Sequence, residues 1–176
     1  IGDLVDLKAY LDTLPPSAAD APQHELPFPF SIRRGIGLWK LLYLDGETFE
    51  PDPAKSDEIN RGAYLVEGPG HCNECHTPRN MLGALDYSHH LAGAPNPSGK
   101  GFVPNITGGK GGIGDWSAED IANFLDTGMT PDFDSVGGTM VEVQENMTHL
   151  PASDRAAIAA YLKDLPPLPR SDGGGD

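Results

Sequence analysis

The chain has 176 residues, a mass of 18.7 kDa and a formal net charge of −14, with 12 Lys and Arg against 26 Asp and Glu. That length supports one ordinary domain with extra segments or two very small ones, and the acidic balance makes nucleic acid and an anionic membrane surface poor partners. Only 38% of the residues are hydrophobic and Gly (22) and Pro (17) exceed a fifth of the chain, so much of it is loop. Something besides a hydrocarbon core must then hold it: a cofactor, a metal, or the single disulfide that two cysteines allow.

In chain order, Leu4, Leu7, Leu11 and Leu14 recur at three- and four-residue spacings, which predicts an amphipathic helix over 3–14 stopped by Pro15-Pro16. The start, Ile1-Gly2-Asp3-Leu4, lacks the basic-then-apolar pattern of a leader, so a leader was removed or this is not a natural beginning. A Pro-rich linker covers 16–30. Ile32, Ile36, Trp39 and Tyr43 then mark a helix over 31–44, and a third helix is expected from Asp57 to Val66, ending near Gly68-Pro69-Gly70.

Residues 77–114 hold many Gly and Pro and no sustained period, and read as an irregular wrap around something. A helix resumes at Ser117, a hydroxyl cap with Asp120 at the third helical position, and stops before Gly128. Two more are expected, near 139–146 and from Ala152 to Leu165, the last closed by Pro166-Pro167. No stretch approaches the roughly 20 apolar residues of a membrane-spanning helix, and no segment reads as a long strand.

One repeat stands out. Residues 6–16 (DLKAYLDTLPP) align without gaps on 157–167 (AIAAYLKDLPP), sharing Ala, Tyr, two Leu and two Pro. Two similar helices stopped by proline would account for this, but a matched Ala-Tyr-Leu-x-x-Leu-Pro-Pro exceeds what period alone requires. If the second copy closes a domain, the first copy is expected to close a similar, preceding one.

The chemistry gathers at His71-Cys72-Asn73-Glu74-Cys75-His76, which contains C-x-x-C-H, the attachment signature of c-type haem. Positions i and i+3 of one helical turn share a face, so both thiols can add to the vinyl groups of one porphyrin, and His76 is carried under the ring to bind iron. A zinc site or a thioredoxin-like redox pair are the alternatives. The first wants a second ligand pair that adjacent His89-His90 matches poorly, and the second wants a βαβ context that is missing. For the sixth iron position methionine is the candidate, from Met81, Met129, Met140 and Met147. Met81 is too near His76, Met147 has a packing context, and spacing leaves Met140 and Met129 nearly equal.

From about Asn60 to Pro167 the chain resembles the class I cytochrome c domain, and within it the multi-haem cytochrome c subunits of bacterial membrane-bound alcohol, aldehyde and sugar-acid dehydrogenases. The segments that carry the resemblance are RGAYLVEGPGHCNECHTPRN (61–80), FVPNIT (102–107), GIGDWSAEDIANFLDTGMTPD (from Gly112), GGTMVEVQENMTHL (137–150) and DRAAIAAYLKDLPP (154–167). It implies a mostly α class I cytochrome c fold over 57–167 with an N-terminal helical and loop extension over 1–56, and 168–176 as a flexible tail. It implies one haem c per chain, bound through Cys72 and Cys75, with His76 and Met140 as iron ligands. Arg79, Asn105, Thr107 and Trp116 become candidate partners of the haem propionates, Pro78 or a nearby carbonyl a candidate acceptor for the His76 ring N–H, and Gly62 and Tyr64-Leu65 are expected against Tyr161-Leu162.

The function so implied is one-electron transfer in the periplasm, without catalysis by this chain itself. Two rivals remain: a haem domain whose displaceable sixth ligand admits a small-molecule substrate, and a relay module of a larger dehydrogenase complex. The subunits resembled carry more than one C-x-x-C-H where this chain has one, and residues 24–49 look like the stretch joining consecutive haem domains, so a second haem domain before this one is expected. Residues 61–100 carry three basic and three acidic side chains, the least acidic part of the chain. A dehydrogenase or cytochrome with a basic docking face would suit that distribution.

Overall fold

The computed structural model describes residues 1–97 and 99–171. Two units are distinguished, residues 1–45 and the residues from 46 onward. In the first, helix α1 spans Gly2–Leu11 and helix α2 spans Gly35–Tyr43. α1 ends three residues short of the expected Leu14. Thr13 and Leu14 instead bond back to Tyr10 and Leu11 (2.9 and 3.2 Å), the tighter three-residue spacing that often finishes a helix, just before Pro15-Pro16. α2 starts four residues later than expected because Ser31 and Ile32 donate to the carbonyls of Pro27 and Pro29 (3.1 and 3.0 Å), turning the chain before the helix begins.

The second unit is mostly helical. Helix α3 (Asp57–Glu67) begins at Ser56, whose hydroxyl accepts from the Ile59 amide (3.2 Å), and carries Asp57 and Glu58 in its first turn, where the helix dipole favours negative charge. Then come the single turn α4 (Asn73–His76), a 3₁₀ turn at Tyr87–His89, and an antiparallel pair, β1 (Ala94–Pro95) on β2 (Phe102–Val103), with Ala94 opposite Val103. Helices α5 (Ala118–Thr127), α6 (Met140–Met147) and α7 (Ala152–Asp164) complete it.

Local signals explain the boundaries. The Ser117 hydroxyl accepts from the Asp120 amide (3.0 Å) while the Asp120 carboxylate accepts from the Ser117 amide (2.8 Å), so two otherwise orphaned donors satisfy each other. Gly128 ends α5 with φ of +74°, a left-handed turn that a side chain resists.

The core forms where α3 and α5 pack on α7: Leu65, Val66, Ile121, Leu125, Ile158, Ala159 and Leu162 are buried there with Leu91 from the loop. The α3–α7 crossing is close because Gly62 has no side chain; a Cβ there would lie 2.0 Å from the Ala157 carbonyl oxygen and 2.7 Å from the Tyr161 Cβ. The expected contact of Gly62 with the last helix is thus present. α6 is tied to α5 by Gln144, 7% exposed, whose amide donates to the Asp126 carbonyl (2.9 Å) at the end of α5. Of the tail expected from residue 168, residues 172–176 lie outside the described residues. Leu168–Ser171 run beside the loops around residues 92 and 107, bonded to both.

Candidate functional site

The site is built by the way α3 ends. Gly68-Pro69-Gly70 turns the chain back so that the Gly70 and Cys72 amides donate to the Leu65 and Val66 carbonyls (2.8 and 3.0 Å), using acceptors that a helix end leaves open. Gly70 is required there: a Cβ would sit 2.6 Å from the Leu65 oxygen. Cys72 is thereby fixed beside α3, and α4 follows at once, with the His76 amide on the Cys72 carbonyl (3.0 Å).

One turn therefore carries Cys72, Cys75 and His76. Both thiols are free; Cys75 is exposed, Cys72 partly buried and His76 8% exposed. Burial, with the nearby Glu67 charge adding to it, pushes the Cys72 thiol up to about 11, so it is protonated at neutral pH. Burial lowers the pKa of the His76 imidazole and so favours the neutral form that binds metal, against the opposing effect of its hydrogen bond to the Pro104 carbonyl.

The His76 ring is oriented by that bond: Nδ1 donates to the Pro104 carbonyl at 2.8 Å, which leaves Nε2 as the nitrogen free for a metal. The acceptor expected at Pro78 or a nearby carbonyl is Pro104, 28 residues from His76 on the strand-to-loop segment, while the Pro78 carbonyl accepts from the Asp86 amide (2.8 Å). Proline's missing N–H marks 104 as irregular backbone, but nothing in the sequence alone ties its carbonyl to His76.

The four methionines are placed differently. Met81 is fully exposed in the turn bridged by Arg79 and Leu85, and Met129 is 39% exposed at a similar bridge with Ser135. Met147 packs on the core. Met140 is half-buried as the first residue of α6, after Gly137 and Gly138, beside which an added Cβ would meet nothing. Met140 therefore stands on a different helix from His76.

The other candidates have partners within the chain. Arg79 pairs with Glu74 and donates to the Gly83 carbonyl (2.8 Å). Asn105 and Thr107, both buried, donate to the Leu168 carbonyl (2.9 and 3.2 Å). Trp116 packs edge-on against Phe124 at 5.5 Å. The adjacent histidines go to separate carboxylates, His89 to Asp86 (3.0 Å) and His90 to Glu67 (2.8 Å). Among the described residues no group of three or more His, Cys, Asp or Glu is gathered to hold a metal ion, so neither joins Cys72 and Cys75 in the zinc arrangement.

A carboxylate unforeseen in the sequence lies against this turn. Glu67, at the end of α3, accepts from Asn73 (3.1 Å), His90 (2.8 Å) and Tyr161 (2.7 Å). Burial works to raise its pKa, but those hydrogen bonds outweigh burial and hold it below the usual carboxylate value. A signal for it was the repeated Ala-Tyr-Leu, whose tyrosine needs an acceptor once the helix packs.

The α4 turn fits a covalently held haem: two reduced thiols one helical turn apart and an imidazole with one nitrogen anchored and the other free. No family model matches the sequence. The chain is 56% identical over 167 residues to the diheme cytochrome c-type protein of Cereibacter sphaeroides, an alignment that spans 94% of this chain and 55% of that protein. It is 41% identical to the fructose dehydrogenase cytochrome subunit of Gluconobacter japonicus and 34% identical to the gluconate 2-dehydrogenase cytochrome c subunit of Pantoea cypripedii, each over 93% of this chain. These alignments cover 34% and 39% of the two subunits.

Proposed function

We propose that this chain, a homologue of diheme cytochrome c and of dehydrogenase cytochrome c subunits, transfers single electrons through one covalently bound haem c on a class I cytochrome c domain. The observation that carries this reading is the α4 turn: Cys72 and Cys75 one helical turn apart, and a buried His76 whose Nδ1 is held by the Pro104 carbonyl so that Nε2 is the nitrogen left for a metal. Haem c, when bound, supplies the one-electron Fe(III)/Fe(II) couple.

Each residue has a defined task. Cys72 and Cys75 fix the group by thioether bonds, which removes most of the entropy cost of holding it in a loop-rich chain. His76 would hold the iron through Nε2 and Met140 would supply the second protein ligand, and with both positions taken by protein the chain would relay electrons rather than bind a substrate. Arg79 and Trp116 are the side chains proposed to border the propionates; Asn105 and Thr107, expected there too, are buried and bonded to Leu168 instead. Covalent attachment of this kind in bacteria implies the periplasm. Among the described residues no helix is long and apolar enough to cross a membrane.

A relay role inside a larger dehydrogenase assembly, with a second haem domain in the same polypeptide, is favoured by the helix repeat. In α7, Ile158 and Leu162 are buried (4% and 6% exposed), while their counterparts in α1, Leu7 and Leu11, are 51% and 53% exposed. α1 has the face of a closing helix. Its proposed partner is the equivalent of α3 in a preceding haem domain, and the electron's other stations are a dehydrogenase and that second haem.

The test is an absorption spectrum of the ferrous protein with and without carbon monoxide, together with intact mass. A c-type spectrum unchanged by carbon monoxide, and a mass increase of one haem per chain, are expected. Met140→Ala should open the iron to carbon monoxide and lower the potential, whereas Met129→Ala should do neither. Prompt carbon monoxide binding by the unmodified protein would favour the small-molecule enzyme instead.

A further inference from the structure

The Pro-Pro pair after α7 does more than stop a helix. Beyond it the chain returns to the side of the molecule that carries His76 and is pinned there at separate points. The Leu168 carbonyl accepts from Asn105 Nδ2 (2.9 Å) and from the Thr107 hydroxyl (3.2 Å), and the Leu168 amide donates back to that hydroxyl (3.1 Å). The Arg170 guanidinium lies 4.3 Å over the Phe102 ring. Ser171 donates through its hydroxyl to the Gly93 carbonyl (2.6 Å) and through its amide to the Ala92 carbonyl (3.1 Å). Gly109 permits the approach, since a Cβ there would fall 1.8 Å from the Leu168 oxygen.

The two loops that this segment ties are the two that hold His76. The Gly93 amide donates to the His76 carbonyl (2.8 Å), and Pro104, directly before Asn105, accepts from the His76 ring. Asn105 is 1% exposed and spans the connection: its amide donates to Leu168 while its carbonyl oxygen accepts from the Thr107 amide (2.8 Å), so the peptide carrying the Pro104 oxygen has little freedom to turn.

We propose that residues 168–171 form a strap which, through Asn105, holds the Pro104 carbonyl on His76 and so sets the donor strength of that imidazole toward the iron. The inference rests on the electron-transfer reading above. Asn105 is here a positioning residue. A well-aligned acceptor on Nδ1–H makes the imidazole a stronger donor and favours the ferric state, so loosening the acceptor favours the ferrous state. A chain segment distant in sequence thereby adjusts the reduction potential without touching the iron.

The experiment compares the haem-loaded full chain with Asn105→Ala, Thr107→Val and Ser171→Ala, using Arg61→Ala, which breaks the Arg61–Asp154 pair across α3 and α7, as a destabilised control. Two quantities are read, the ferrous-to-ferric ratio at a fixed ambient potential and the solvent exchange of the His76 ring N–H by NMR. Asn105→Ala is expected to raise the ratio at least threefold and speed that exchange about tenfold. Thr107→Val should act the same way more weakly, Ser171→Ala more weakly still, and Arg61→Ala should change neither. The two milder variants keep the test decisive where Asn105→Ala fails to fold. Loss of stability with both readouts unchanged would overturn the strap, as would a changed ratio with unaltered ring exchange, the behaviour of a propionate partner. Absence of covalent haem in the unmodified protein would instead overturn the electron-transfer reading itself.

Discussion

Tyr161 on α7 donates its hydroxyl to Glu67 on α3 at 2.7 Å, and the same carboxylate oxygen accepts from His90 at 2.8 Å. Asn73, the residue between the two thiols that directly follows Cys72, donates to the other oxygen at 3.1 Å. One partly buried charge therefore joins the first helix of the domain, the last helix, the loop and the C-x-x-C-H turn.

Glu67→Gln keeps the shape and removes the charge. Because hydrogen bonds hold the folded-state pKa of Glu67 below its usual 4.5, its contribution to stability is present above that value and is lost as the pH falls through the lower folded-state value. The variant should lose about 1–3 kcal/mol at neutral pH, and the gap to the unmodified protein should narrow toward pH 3. Urea midpoints at the two pH values decide it; an equal gap at both would mean that the Glu67 charge is not its source.

Gly62→Ala tests the α3–α7 crossing. The new methyl group would sit 2.0 Å from the Ala157 carbonyl oxygen, a backbone atom that no side-chain rotation can move aside. Overpacking of this kind costs about 1–3 kcal/mol and sometimes more, and here the helices themselves must separate. The urea midpoint should fall sharply, while Gly37→Ala, at a glycine with open space around it, should be nearly neutral or stabilising.

What the sequence made legible was local. Ser117 with its acidic follower, Gly128 and the Pro-Pro stops mark helix ends to within a few residues, because caps are interactions between near neighbours. The C-x-x-C-H spacing is legible for the same reason, being a single helical turn. The Pro104–His76 bond, the Glu67 cluster and the Leu168–Asn105 contact were not foreseen. They join residues 28, 23, 94 and 63 positions apart, and depend on backbone carbonyls and long-range packing that no residue pattern encodes.

Gln144 connects the stability of the fold to the placement of Met140. Its side-chain amide satisfies the Asp126 carbonyl, and it sits one turn along α6 from the methionine. Gln144→Leu fills similar space but leaves that carbonyl unpaired, at a cost of about 1–3 kcal/mol, and frees α6 from α5. If Met140 is the sixth ligand, carbon monoxide binding to the ferrous protein should become measurable in this variant while the protein remains folded by circular dichroism. Destabilisation without any gain in ligand access would separate α6 anchoring from the iron.

The charge distribution makes a prediction about encounter. The chain carries −14 overall, yet residues 61–100, which include the attachment turn, balance three basic side chains against three acidic ones. A partner would then approach a locally neutral surface under the pull of a distant acidic field, which speeds association with a basic face but adds little to the bound complex. Salt screens such a field over a Debye length of about 10 Å at 0.1 M. Electron-transfer rates with a basic redox partner should therefore fall steadily as ionic strength rises from about 0.01 to 0.3 M, while rates with a neutral small-molecule reductant stay level. A rate independent of salt with the protein partner would show that the acidic surface serves solubility alone.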